Sequence, residues 1–265
     1  MGWTTGSCAA SGVAIHYERT GGAKRPMLLL HGLSGSGACW RCMARALESE
    51  FDLLMPDARG HGASDTPASG YSYEYHAGDV VGLIRQLELV DPVILGHSMG
   101  GLTATLVASR LGHAIRALVL VDPTFLSPQR QREVHASDVV EQHRRLLGKS
   151  RDEVVADLRT RHPHRSAEMV GLLAEARLHT RLNAFDVLRP PNPDYQQLVK
   201  VIAVPILLAI GDQPVVSIET ARGLQQLNPS VRIAQIPGAG HGLPYDQPER
   251  LAAAVGSFLR SLAVR

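Results

Sequence analysis

A chain of 265 residues, 45% apolar and 20% charged, can bury one substantial core, with or without a large insertion. Its 27 Lys and Arg nearly balance 25 Asp and Glu, and a formal charge of +2 gives no electrostatic reason to expect nucleic acid or an anionic membrane as a partner. Three cysteines, Cys8, Cys39 and Cys42, make neither a disulfide framework nor a zinc set, so a reducing compartment and no metal are expected.

Met1–Ser7 has no basic stretch followed by an apolar run, so no signal peptide is expected. No segment nears the ~20 apolar residues of a membrane helix. The expectation is a soluble, cytoplasmic protein. Short apolar runs predict strands over Val13–Tyr17 and Met27–Leu30. The second leads into Leu30-His31-Gly32-Leu33-Ser34-Gly35-Ser36-Gly37. A glycine-rich loop after a strand lets backbone N–H groups face an anion. The Gly-Lys-Ser/Thr ending of a phosphate loop is absent, so half of an oxyanion hole is the better reading, with Leu33 N–H as the donor. The helical pattern over Cys39–Glu48 contains Cys39-Trp40-Arg41-Cys42, read as one helix turn with two small apolar residues rather than a redox pair.

Phe51–Met55 is the next strand and Tyr73–Leu89 the next helix. The strand Val93–Leu95 then runs into Gly96-His97-Ser98-Met99-Gly100-Gly101, and a helix follows to Leu111. Strand, G-x-S-x-G and helix together make a nucleophile elbow. The serine takes a strained turn in which side chains at Gly96 or Gly100 would collide with backbone. The helix N-terminus behind it favours developing negative charge, and Met99 N–H supplies the second oxyanion donor.

The strand Ala117–Val121 ends in Asp122-Pro123. From about Ser127 to Lys200 the alternation of strand and helix stops. Charged helical stretches (Val134–Leu147, Asp152–Arg161, Ala167–Leu182) and a Pro-rich piece at Arg189 take its place. Strands resume with Ile206–Ile210 and Val231–Ile236, separated by the helix Ile218–Leu227. The ends of the insert must therefore lie close together, and residues 127–200 are expected to form a helical cap on a core of residues 1–126 and 201–265. Leu146, Leu172, Leu173, Leu178 and Phe185 are candidates to line its inner side. After the last strand comes Gly238-Ala239-Gly240-His241-Gly242, and then a helix over Pro248–Leu262. His241 follows the nucleophile in chain order on a loop above the strand ends, the place for a general base.

These motifs carry a resemblance to the α/β-hydrolase superfamily: His31-Gly32-Leu33, Pro56-Asp57-Ala58-Arg59-Gly60-His61-Gly62-Ala63-Ser64, the elbow, and Gly240-His241-Gly242. The resemblance implies a mostly parallel sheet of about eight strands with helices on both faces and a cap over the site. It gives Asp57 and Arg59 a scaffold role. It also departs from the family at one point. The usual acid lies about three residues beyond the glycine that follows Ile206–Ile210, but here the segment reads Gly211-Asp212-Gln213-Pro214-Val215-Val216. Gln213 cannot stabilise an imidazolium. Some members, certain dehalogenases and lactonases among them, carry the acid at the place of Asp122. Asp122 is thus the preferred third member and Asp212 the alternative.

In this reading Ser98 attacks an acyl carbon as His241 takes its proton, and His241 then activates water to release the acid. No organic cofactor is required. The expected substrate is a small, mostly apolar ester or lactone. Serine at position 98 sets the chain apart from halide-removing and epoxide-opening members, which place an aspartate there. Members that cleave carbon–carbon bonds keep serine, and a hydrolase-like receptor with little turnover is a third class.

Overall fold

The near-continuous apolar runs become the inner strands of one eight-stranded sheet in the computed structural model, which describes residues 2–262. In chain order the strands are β1 (Thr4–Ala10), β2 (Val13–Arg19), β3 (Arg25–Leu30), β4 (Phe51–Pro56), β5 (Val93–His97), β6 (Ala117–Val121), β7 (Ile206–Ile210) and β8 (Val231–Gln235). Their spatial order is β1-β2-β4-β3-β5-β6-β7-β8. β1 and β2 pair antiparallel with each other, as do β2 and β4, and every later pairing is parallel.

The helices are α1 (Arg41–Leu47), α2 (Tyr73–Gln86), α3 (Met99–Leu111), α4 (Pro128–His135), α5 (Val139–Leu147), α6 (Arg151–Arg161), α7 (Ala167–Leu178), α8 (Tyr195–Val201), α9 (Ile218–Leu227), α10 (Leu243–Asp246) and α11 (Pro248–Ser261). Alternation along the strands fills both faces. Leu28, Leu30, Ile94, Leu118, Leu120, Ile206 and Leu208 pack against α2, α3, α8 and α9. Met27, Leu29, Val93, Leu95, Val119, Val121 and Leu207 pack against α1 and α11 on the other side. A parallel sheet covered on both sides has no polar face, which is why these strands read as unbroken apolar runs.

Differences from the sequence expectation lie where burial is weak. β1 has no apolar pattern; it is a mostly exposed edge strand, joined to β2 by Ser11-Gly12 at φ 48° and 80°. Two consecutive positive φ values are what a tight two-residue hairpin demands. The single helix expected over Val134–Leu147 is two, because Ser127 caps α4 through the Arg130 N–H and the chain turns before α5 starts. Between β6 and β7 the described residues hold α4 to α8 and a 3-10 segment at Leu182–Leu188, with no strand.

Candidate active site

Strand ends converge on one point. β5 delivers Ser98, β6 delivers Asp122, the loop after β3 delivers Leu33, and the loop after β8 delivers His241. At the elbow a Cβ on Gly96 would stand 2.1 Å from Gly100 O, and one on Gly100 would stand 2.3 Å from Leu30 O. Only glycine lets strand, turn and helix approach so closely. Ser98 itself sits at φ 53°, ψ −118°, a conformation costly for any side chain. It is held there because its N–H donates to Val121 O at 3.1 Å while Gly101, Leu102 and Thr124 N–H all donate to its carbonyl.

Ser98 Oγ lies 3.0 Å from His241 Nε2 and 3.3 Å from Thr124 Oγ1. His241 Nδ1 lies 2.6 Å from Asp122 Oδ2. Asp122 is fully buried, and its carboxylate also accepts the Val215 and Val216 N–H groups at 2.9 Å each. A carboxylate facing Nδ1 fixes the Nδ1–H tautomer and leaves Nε2 bare toward the serine hydroxyl. Asp212 is elsewhere. It is exposed, and its Oδ2 accepts the Gly238 N–H at 2.7 Å. Its neighbour Gln213 pairs with Gly240 as a β-bridge.

Met99 N–H opens α3 and so has no helical acceptor, and Leu33 N–H makes no backbone hydrogen bond among the described residues. The loop that carries Leu33 is held by two buried imidazoles. Ala58 N–H donates to His31 Nε2 at 2.9 Å, which leaves Nδ1–H to donate to Gly32 O at 2.8 Å. Ser34 N–H donates to His61 Nε2 at 3.3 Å, and His61 Nδ1–H donates to Arg59 O at 3.0 Å. Burial, the largest cause in each case, lowers the pKa of both rings and keeps them neutral. Beneath them Asp57 accepts the Gly37 and Ala63 N–H groups, and buried Arg59 makes a two-pronged pair with Asp79 at 2.6 Å.

Two further neighbours surround the serine: Thr124, which the sequence does not mark, and His97, whose place beside the site fits a packing or hydrogen-bonding residue. Thr124 follows Asp122-Pro123 and places a hydroxyl at Ser98. His97, one residue before the serine, donates its Nε2–H to His241 O at 2.8 Å and so links the elbow to the histidine loop. Burial first, and then His241, depresses its pKa to about 3.

An open cleft of about 610 Å³ begins at Leu33 and Ser34 and runs out beneath the helices of the insert. Of the candidate lining residues Leu146 and Phe185, but not Leu172, border this cleft, beside Arg145, Lys149, Arg161 and Arg177. Leu173 does not; it belongs to a separate apolar cluster with Val154, Leu158, Met169 and Val170, against which Leu178 also packs. Arg177 had a legible signal: it lies four residues after Leu173 and seven after Val170, a cation on the apolar stripe of α7. Among the described residues no group of three His, Cys, Asp or Glu could hold a metal ion.

Comparison with known proteins adds four findings. A family model described as the alpha/beta hydrolase fold matches residues 25–248. An N-formylmaleamate deformylase of Pseudomonas putida is 31% identical over 265 residues, covering 96% of each chain. An sn-1-specific diacylglycerol lipase of Mus musculus is 31% identical over 260 residues, covering 88% of this chain and 80% of its own. The crystal structure of an N-formylmaleamic acid deformylase from Pseudomonas putida superposes with a TM-score of 0.82 at 26% identity, over 95% of this chain and 100% of that one.

Proposed function

The chain belongs to the alpha/beta hydrolase family, and from that premise we propose that it is a serine hydrolase that cleaves a carboxylic ester or lactone through an acyl-enzyme on Ser98. The observation that carries this reading is the line Ser98 Oγ, His241 Nε2, His241 Nδ1, Asp122 Oδ2, with steps of 3.0 Å and 2.6 Å. The lipase likeness supports an ester as substrate. The deformylase likeness favours a second reading, an N-formyl group, cleaved by the same chemistry.

In the proposed reaction Ser98 Oγ attacks the acyl carbon as its proton passes to His241 Nε2. Asp122 stabilises the imidazolium, and Leu33 and Met99 N–H groups receive the oxyanion. The imidazolium then protonates the leaving group. Water, activated by the same Nε2, releases the acid. His97 is a positioning residue here, holding the backbone of His241 rather than touching substrate. Residues 127–200 act as the lid over this site. Free Cys8, Cys39 and Cys42 fit a reducing, cytoplasmic setting, and among the described residues no helix is long and apolar enough to cross a membrane.

A fluorophosphonate probe together with a panel of 4-nitrophenyl esters, lactones and N-formyl amides tests the assignment. The probe should label Ser98, and Ser98→Ala should lower turnover by at least ~10³-fold while the fold is kept. Near-normal turnover by Ser98→Ala would remove the acyl-enzyme. Labelling without turnover of any panel member would favour a receptor.

A further inference from the structure

The cleft beside Leu33 has an apolar wall and a cationic one. Leu33, Val139, Leu146 and Phe185 form the first; Arg145, Lys149, Arg161 and Arg177 stand against the single carboxylate of Asp157 in the second. Lys149 is taken by Asp157, and Arg145 reaches Asp138 at 3.4 Å. Arg161 and Arg177 have no carboxylate partner among the described residues.

Arg177 is the unusual one. It is half-buried, and two further guanidiniums, Arg165 and Arg161, act on its charge. Tyr245, which also acts on its charge, meets the edge of the His97 ring at 5.4 Å, and Arg177 lines the same cleft as Leu33 of the oxyanion loop. The carboxylate of Asp246 is already taken by Arg165 at 2.7 Å. A guanidinium partly withdrawn from water among like charges is unfavourable by itself and favourable once an anion is bound. Burial first, with Arg165 and Arg161 adding to it, lowers its pKa in accord with that placement. Guanidinium matches carboxylate geometry with two parallel N–H donors.

We propose that Arg177, assisted by Arg161, binds a carboxylate of the substrate, so that the molecule hydrolysed has an apolar body and one anionic end lying in the cleft under the insert. This rests on the hydrolase reading above and adds the substrate class to it.

Two pairs of substrates place the charge on either side of the scissile bond: 4-nitrophenyl hydrogen succinate and 4-acetoxybenzoate, each against its methyl ester. In one pair the acid should exceed its methyl ester in kcat/KM by about 10- to 100-fold, mostly through KM. Arg177→Met should bring that ratio close to one, and Arg161→Gln should lower it in part. Arg177→Met should also melt no lower than the parent, since it relieves like-charge crowding; a purely structural arginine would lower the midpoint. Should Arg177→Met fail to fold, Arg177→Lys keeps the charge, loses the two-pronged geometry, and should still lose most of the ratio.

Binding is read apart from turnover by the rise in melting temperature that succinate gives to Ser98→Ala and fails to give to Ser98→Ala/Arg177→Met. Stabilisation by succinate without hydrolysis of any ester would overturn the hydrolase reading and keep the anion site. Equal kcat/KM for acid and methyl ester in both pairs, or a ratio unchanged in Arg177→Met, would overturn the anion site and keep the hydrolase.

Discussion

Asp122 takes three hydrogen bonds at once, from Val215, Val216 and His241, and does so at φ 39° with no exposed surface. Asn at that position would turn an NH₂ group toward one of these donors and push His241 into the wrong tautomer. Asp122→Asn should therefore cut kcat by up to ~10⁴-fold on a 4-nitrophenyl ester. Asp212, which only ties down the Gly238 turn, should lose far less as Asn; the reverse ranking would give the acid role to Asp212. The sequence leaves both open for a physical reason. Ser98 is marked by glycines that close backbone approach requires and His241 by its loop after the last strand, whereas the acid is marked only by where the seven-residue loop after β7 points its side chains. Gln213 bridging to Gly240 decides that, and no local pattern announces it. The acid limb of kcat/KM is a further test at this scale. Only a neutral imidazole can take the Ser98 proton, so activity should fall with acid along a single-proton slope. His97, already neutral with its pKa near 3 through burial, adds no second proton. A kcat/KM that does not fall with acid along that slope would remove His241 as the base.

Elements are held to one another here by a few buried polar ties. Arg165 comes from the insert and Asp246 from α10, five residues after His241. Their side chains are 5% and 7% exposed, with His164 adding a second donor to the same oxygen. A Cβ on Gly242 would stand 2.4 Å from the Arg165 guanidinium, so the insert sits directly on the histidine loop. Asp246→Asn leaves that guanidinium buried without its counter-charge, at a cost of about 3 kcal/mol or more. For a chain of this size the melting temperature should fall by roughly 6–12 °C, with turnover of neutral and anionic esters falling together as the loop loosens. A midpoint within about 2 °C of the parent would show that the tie carries little. Legibility also follows burial at this scale. Inner strands announce themselves because both faces are covered. Thr4–Ala10 does not, since an edge strand with polar and small residues buries almost nothing. Within the insert, Leu173 and Phe185 are equally apolar in sequence, yet one faces the insert's own cluster and the other the cleft. Residue type records that a side chain is buried, not against what.

The whole molecule carries an acid sensitivity that its near-neutral charge does not suggest. His31, His61, His76 and His97 are all 3% exposed or less, and burial, the largest cause for each, lowers every one of their pKa values; His76 and His97 go to about 3. In the unfolded chain the same rings titrate near the ordinary histidine value of 6.5. Below that pH the unfolded state binds protons that the folded state refuses, so folding stability is intact above about pH 6.5 and is lost as the pH falls toward 3. His76 and His97 each remove about 2 kcal/mol between pH 6.5 and pH 5, against a total stability on the order of 5–15 kcal/mol. His31 and His61 act in the same direction. Urea unfolding at pH 7.5, 6.5, 6.0, 5.5 and 5.0 should give a stability that is level at the top. It should then fall with a slope approaching about 3 kcal/mol per pH unit, two protons or more taken up on unfolding. The reversible loss of activity through His241 and the loss of fold would then be separable, the first recovering on return to neutral pH without refolding. Stability that stays level from pH 7.5 to pH 5 would mean that these four rings accept protons where they stand. The hydrogen bonds by which His31 and His61 fix the Leu33 loop could not then be those of neutral imidazole.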